Sequence, residues 1–166
     1  MTKIINNFLE IVNLYDTFIL DQWGVMHDGS KGYNHAITAI DKLIKANKKL
    51  IIISNSSKRK MTSIDRLKYL GFNKSNFIEV MTSGEMIWQE LFNSIHSYGN
   101  NLINCLHIYD KSKEDGVDFR KGLDKFNFVS KVKEANFILA CTLFKNTKPI
   151  DYIPILKDAL DCNLIM

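Results

Sequence analysis

The sequence lacks what a membrane-spanning or secreted chain needs. No apolar run approaches the roughly 20 residues that cross a bilayer, and Met1 to Asn13 have no apolar core followed by a small-residue cleavage site. A soluble, unsecreted, cytoplasmic protein without a membrane partner is therefore expected. Cysteine is scarce: Cys105, Cys141 and Cys162 are odd in number and lack metal-ligand spacing. A disulfide framework or a zinc site is not expected, and the three read as small buried hydrophobes in a reducing compartment. No block of like charge occurs, because 22 Lys and Arg are interspersed with 18 Asp and Glu for a net charge of +4. So mild an excess reads as a solvated surface, with no nucleic-acid partner. There is no internal repeat, no glycine-rich dinucleotide fingerprint and no phosphate loop ending in Gly-Lys-Ser/Thr, so a nucleotide-binding domain of those types is not expected.

What is there is a globular composition. At 166 residues and 46% hydrophobic, the chain can build the core of one domain, or of one domain and part of a second. The chain is organised around Thr17 to Gly29. Thr17-Phe18-Ile19-Leu20 is a short apolar run of the kind that forms a strand buried on both faces. It stops at Asp21, and a carboxylate that would be costly inside a buried strand belongs at the strand's carboxyl end, facing a crevice. Gly24 and Gly29 mark turns directly after it. Lys49 to Ser57 repeats the design, an apolar run through Ile53 and then Ser54-Asn55-Ser56-Ser57. Ile37, Ile40, Leu43 and Ile44 recur at helical spacing between Tyr33 and Asn47. Strand, helix, strand implies a right-handed parallel crossover, which puts Asp21 and Ser54 on one edge of an α/β sheet, where such sheets bind ligands.

A strand ending in Asp21 and followed by Trp23-Gly24-Val25 and Asp28-Gly29, paired with a second strand ending in Ser54-Asn55-Ser56, resembles the haloacid dehalogenase superfamily of phosphohydrolases. The short path from Asp21 to the first helix leaves no room for a cap there. The chain is thus similar to the class IIA branch, whose cap follows the Ser/Thr motif. The resemblance implies a three-layer, Rossmann-like α/β core with a parallel sheet and the beginning of an inserted α/β cap. Thr82-Ser83-Gly84-Glu85 and Ala135 to Leu139 look like cap-entry and cap segments. It implies a phosphatase of a small phosphorylated metabolite. Asp21 would be the nucleophile; Mg²⁺ would bind the Asp21 carboxylate and the Trp23 backbone carbonyl. Ser54 would bond a phosphoryl oxygen, with Asn55 and Ser56 at the substrate entrance. Two departures stand out. Most phosphatases of the superfamily have a second Asp at the Trp23 position, acting as general acid and base, and indole does neither. Losing such a group removes roughly 10²- to 10⁴-fold of rate. His27 or Asp28 could substitute, or could simply stabilise the turn. The Lys and acidic pair that complete the site in the family have no counterpart before Met166, so a fragment, inactive alone, is expected; the alternative is a non-catalytic module that binds a phosphorylated ligand or a protein.

The remaining segments supply scaffold. Expected elements are an N-terminal helix over Lys3 to Val12, a helix from about Met61 to Leu70 capped by Gly71, and a strand over Phe77 to Met81. Thr82 with Glu85 forms a capping box for a helix reaching about Ile95, with Trp88, Leu91 and Phe92 as core. The basic triplet Lys58-Arg59-Lys60 either draws anions to the crevice or is a solvated helix start, the commoner role. Residues 97–101 read as a linker, dividing a core part, 1–97, from a partial cap, 98–166. The second part is expected to hold a strand over Leu102 to Tyr109 with His107 as a core histidine, and a polar loop around Lys111 to Asp118. A strand over Asn136 to Leu143, a helix from about Ile150 to Leu160 opened by Pro149, and a strand beginning at Asn163 follow.

Overall fold

The computed structural model describes residues 4–94, 102–112, 115–143 and 146–164. The chain is an α/β protein that divides into two compact units. The first comprises Met1–Ser56 and Lys60–Ser83; the second comprises Ser57–Arg59 and Gly84–Met166.

In the first unit, α1 (Leu9–Val12) precedes β1 (Thr17–Leu20), α2 (Asn34–Lys45), β2 (Lys49–Ser54), α3 (Lys60–Tyr69) and β3 (Glu79–Thr82). The three strands are parallel in the order β1-β2-β3, with Leu20 beside Ile52 and Ser54 beside Thr82. Both crossovers step in the same direction, and because each is right-handed both helices land on one face. Leu50, Ile52 and Val80 of the sheet accordingly pack with Ile40 and Leu43 of α2 and Leu67 of α3 in one core. Gly71 adopts φ 87° after α3, the left-handed cap that its sequence position called for. Among the described residues the opposite face is left open, with Ile19 63% and Ile53 50% exposed. The expectation that β1 is buried on both faces is therefore corrected: it is an edge strand with one packed side. The N-terminal helix is also shorter than its periodicity suggests, because Ile4, at 90% exposed, has no apolar surface to lie on.

In the second unit, α4 (Ser83–Ser94), most of which belongs to it, is followed by β4 (Ile103–Ile108), α5 (Asp115–Arg120), β5 (Phe126–Val129), β6 (Phe137–Ala140) and α6 (Ile153–Asp161). A 3₁₀ turn at Pro149–Tyr152 leads into α6. The strands are again parallel, in the order β5-β4-β6. Here β4 is central, and its two faces feed two cores. Leu106 and Ile108 pack with Ala159 of α6, while Ile103 and Cys105 pack with Phe119, Leu123 and Trp88. Three elements differ from the sequence expectation. The stretch expected as a polar loop contains α5, and β5 was not expected at all, since its four residues alternate with polar neighbours too briefly to stand out. Asn163 takes φ 52° in the turn that ends α6, and Leu164 is not in a strand, so the expected final strand does not begin there. Ile95 and the linker at 97–101 lie outside the described residues.

Several side chains expected to be bland are engaged. The Arg59 guanidinium donates to the buried Glu85 carboxylate at 2.8 Å and lies 3.7 Å over the Trp88 ring, and Lys60 pairs with Glu79 at 3.3 Å. Arg59 and Lys60 are thus tied to the scaffold, and the triplet does open a helix, since α3 begins at Lys60. Trp88 and Leu91 pack as expected, but Phe92 is 45% exposed and stacks on Trp88. Of the cysteines, Cys105 is buried, Cys141 half-buried and Cys162 exposed, which corrects the reading of all three as core. Among the described residues no helix is long and apolar enough to cross a membrane.

Candidate active site at the carboxyl rim of the first sheet

Asp21 directly follows β1, and Ser54 is the last residue of the neighbouring parallel strand β2. Since Leu20 aligns with Ile52, Asp21 stands abreast of Ile53, one residue short of Ser54. Both residues therefore lie at the carboxyl rim of one sheet, on strands about 4.8 Å apart. Asp21 is exposed, and its Oδ1 accepts the Gln22 N–H at 2.8 Å. Among the described residues no arginine forms an ion pair with it. Ser54 is buried, and its Oγ accepts the Ser56 N–H at 3.3 Å, which folds the chain back over the strand end. Asn55 is exposed and Ser56 half-buried on that turn.

The loop after Asp21 is built by its own backbone. The Gln22 carbonyl accepts N–H bonds from Val25, Met26 and His27, and Gly24, at φ 78°, donates to the His27 carbonyl at 2.9 Å. Met26, 1% exposed, plugs the loop into the core below. His27 Nδ1 accepts the Gly29 N–H at 3.0 Å, so the neutral ring carries its proton on Nε2. Burial, with the Arg66 guanidinium nearby, lowers its pKa. The Arg66 guanidinium also donates to the Gly29 carbonyl. Asp28 Oδ1 accepts from Ser30 N, Ser30 Oγ and Lys31 N, and these bonds bring its pKa down to about 2. A carboxylate so fully ionised has no proton to donate at neutral pH. Both candidates to replace the missing general acid are therefore turn-formers. Trp23 is left pointing outward, 64% exposed, with its ring lying over Gly29 and 5.9 Å from His27 in an edge-on contact.

A divalent cation of the Mg²⁺ type asks for about six oxygens in octahedral array. This rim offers the Asp21 carboxylate and the Trp23 carbonyl, and among the described residues no three His, Cys, Asp or Glu side chains converge on a point. The donor set does not fit a firmly held metal.

The second sheet ends differently. Asp110, two residues past β4, is buried, its Oδ1 accepting Ser112 N and Oγ at 3.0 and 2.7 Å, while its N–H donates to Thr142 Oγ1 at 2.9 Å. With Tyr109, Phe119 and Cys141 it borders a cavity of about 70 Å³. Nearby, Arg120 donates to His107 Nδ1, so the neutral His107 donates from Nε2 to Cys141 Sγ, both at 3.2 Å. That tautomer has no lone pair with which to take the thiol proton. Burial pushes Cys141 up to about 11 and, with Arg120, takes His107 down to about 4, so the pair is a packed contact and not a nucleophile with its base. His107 is the satisfied core histidine its sequence setting suggested.

The haloacid dehalogenase-like hydrolase family matches residues 18–107, which hold both strand ends and the loop between them. The chain belongs to that family. Its fold is similar to that of a haloacid dehalogenase-like hydrolase from Brucella suis 1330, with a TM-score of 0.81 and 22% identity over 97% of this chain and 56% of the other. A NagD-like protein is similar at a TM-score of 0.55 and 16% identity, over 89% of this chain and 52% of the other. The chain thus spans about half the length of these solved relatives. No curated protein matches it.

Proposed function

We propose that the first unit is the phosphoryl-binding half of a phosphohydrolase acting on a small phosphorylated metabolite, with Asp21 as the nucleophile. The observation that carries this reading is the exposed Asp21 standing one step from Ser54 on the adjacent strand. Asp21 is exposed, as a carboxylate that attacks phosphorus must be, and its Oδ1 is held by the Gln22 N–H. Ser54 Oγ can donate to a phosphoryl oxygen, with Asn55 and Ser56 bordering the entrance. In the family Mg²⁺ supplies charge neutralisation. Here two donors do not hold it, so the 166-residue chain binds phosphate but does not turn it over alone. The second unit takes the place of a cap, the part that selects the rest of the substrate.

Two measurements test this. Inorganic phosphate should shift the backbone amides of Gln22 and Ser54–Ser56 in an NMR titration, and silence there would overturn the reading. The chain should release no phosphate from 4-nitrophenyl phosphate with Mg²⁺ present. Release that Asp21→Asn abolishes would overturn the claim of inactivity. Trp23 in the acid's position favours one second reading, a module that holds a phosphorylated ligand without chemistry. Such a module would bind its ligand at micromolar concentration, whereas half of a hydrolase site binds phosphate only at millimolar concentration.

A further inference from the structure

Trp23 is the most exposed large apolar side chain of the rim loop. Gln22 and His27 are buried, Met26 fills the core and Asp28 caps a turn, whereas the Trp23 indole stands 64% exposed two residues from Asp21. It is nonetheless held. Its ring lies over Gly29, where any side chain would collide with it, and His27 meets it edge-on. A flat, fixed aromatic face beside a carboxylate is a stacking platform, and base-sized rings gain substantially from such contacts.

The chemistry of the loop points to the same kind of ligand. Neither Trp23, nor His27 with its Nδ1 occupied by Gly29, nor Asp28 with its triply bonded oxygen can protonate a departing alkoxide. A loop without such a donor suits an ester that needs no proton on its leaving oxygen, such as an aryl ester. Resting on the phosphohydrolase reading above, we infer that Trp23 selects aryl phosphates for binding, its indole stacking on their planar ring.

The test uses the full chain and the two indole N–H resonances of its two tryptophans, told apart with a Trp23→Phe variant. Phenyl phosphate, glycerol 3-phosphate and inorganic phosphate are titrated separately. The expected result is that phenyl phosphate moves the Trp23 indole resonance and leaves that of Trp88 in place, with about tenfold tighter binding than glycerol 3-phosphate. Trp23→Leu should remove that preference and Trp23→Phe should keep most of it. If all three compounds shift the Gln22 and Ser54 amides with equal affinity, the inference is overturned and the phosphate site stands. If none does, the phosphohydrolase reading fails first, and the inference with it.

Discussion

Each unit contains a three-stranded parallel sheet, yet the first is covered on one face and the second on both. The difference lies in strand order. In β1-β2-β3 two right-handed crossovers run the same way, and α2 and α3 fall on one side. In β5-β4-β6 the chain steps out through α5 and back past β4 through the Val132–Glu134 turn. Thus α5 falls on one side, that turn with α6 packed on it falls on the other, and five of the six residues of β4 are buried. The consequences reach the side chains that carry chemistry. Asp110, beyond the doubly covered sheet, is buried and committed to Ser112; Asp21, beyond the singly covered one, is exposed and open. Apolar strands and a terminal aspartate are common to both rims. Only the less covered rim leaves its carboxylate available to a ligand.

The comparison can be broken at its strongest point first. Phe119→Ala, at a 1% exposed site in the second unit, should cost about 4 kcal/mol, read by denaturant unfolding followed at Trp88. Ile52→Ala, fully buried on the packed face of the first sheet, should cost about 3 kcal/mol, read at Trp23. Acid comes next. His107 titrates at about 4 in the folded protein against 6.5 unfolded, so the unfolded state binds the extra proton. Its contribution is present above pH 6.5 and fades as pH falls toward 4. From pH 7 to 5 the second unit should lose about 2 kcal/mol, and His107→Gln should flatten that slope. The smallest effect is the sharpest test. Ile19→Lys, on the bare face, should change stability by no more than about 0.5 kcal/mol; a loss above about 1 kcal/mol would show that something covers this face in solution.

The strands around the site were legible because β1 and β2 carry unbroken apolar runs, Phe18 to Leu20 and Leu50 to Ile53, and Asp21 and Ser54 end those runs where a rim must begin. The short pieces were not. The sequence of α5, Asp-Gly-Val-Asp-Phe-Arg, has no helical stripe long enough to read, and β5 alternates for only four residues. Their burial comes from neighbours distant in the chain. Likewise Arg59 finds Glu85 at 26 residues' separation, so local composition called it solvated. His27 and Asp28 were readable as turn residues or acids. The bonds to Gly29 and Ser30 decide between those roles, and residue type does not.

By itself the sequence determined the alternation of strand and helix, the parallel pairing it forces and the rim at which a carboxylate and a hydroxyl stop two adjacent strands. Those follow from side-chain size and chain chirality, which act within a few residues. Tertiary structure alone decided which aspartate stays open, which histidine tautomer exists and that Trp23 faces outward. Desolvation and hydrogen bonding depend on everything packed around a group, and that surrounding is assembled only when the chain has folded.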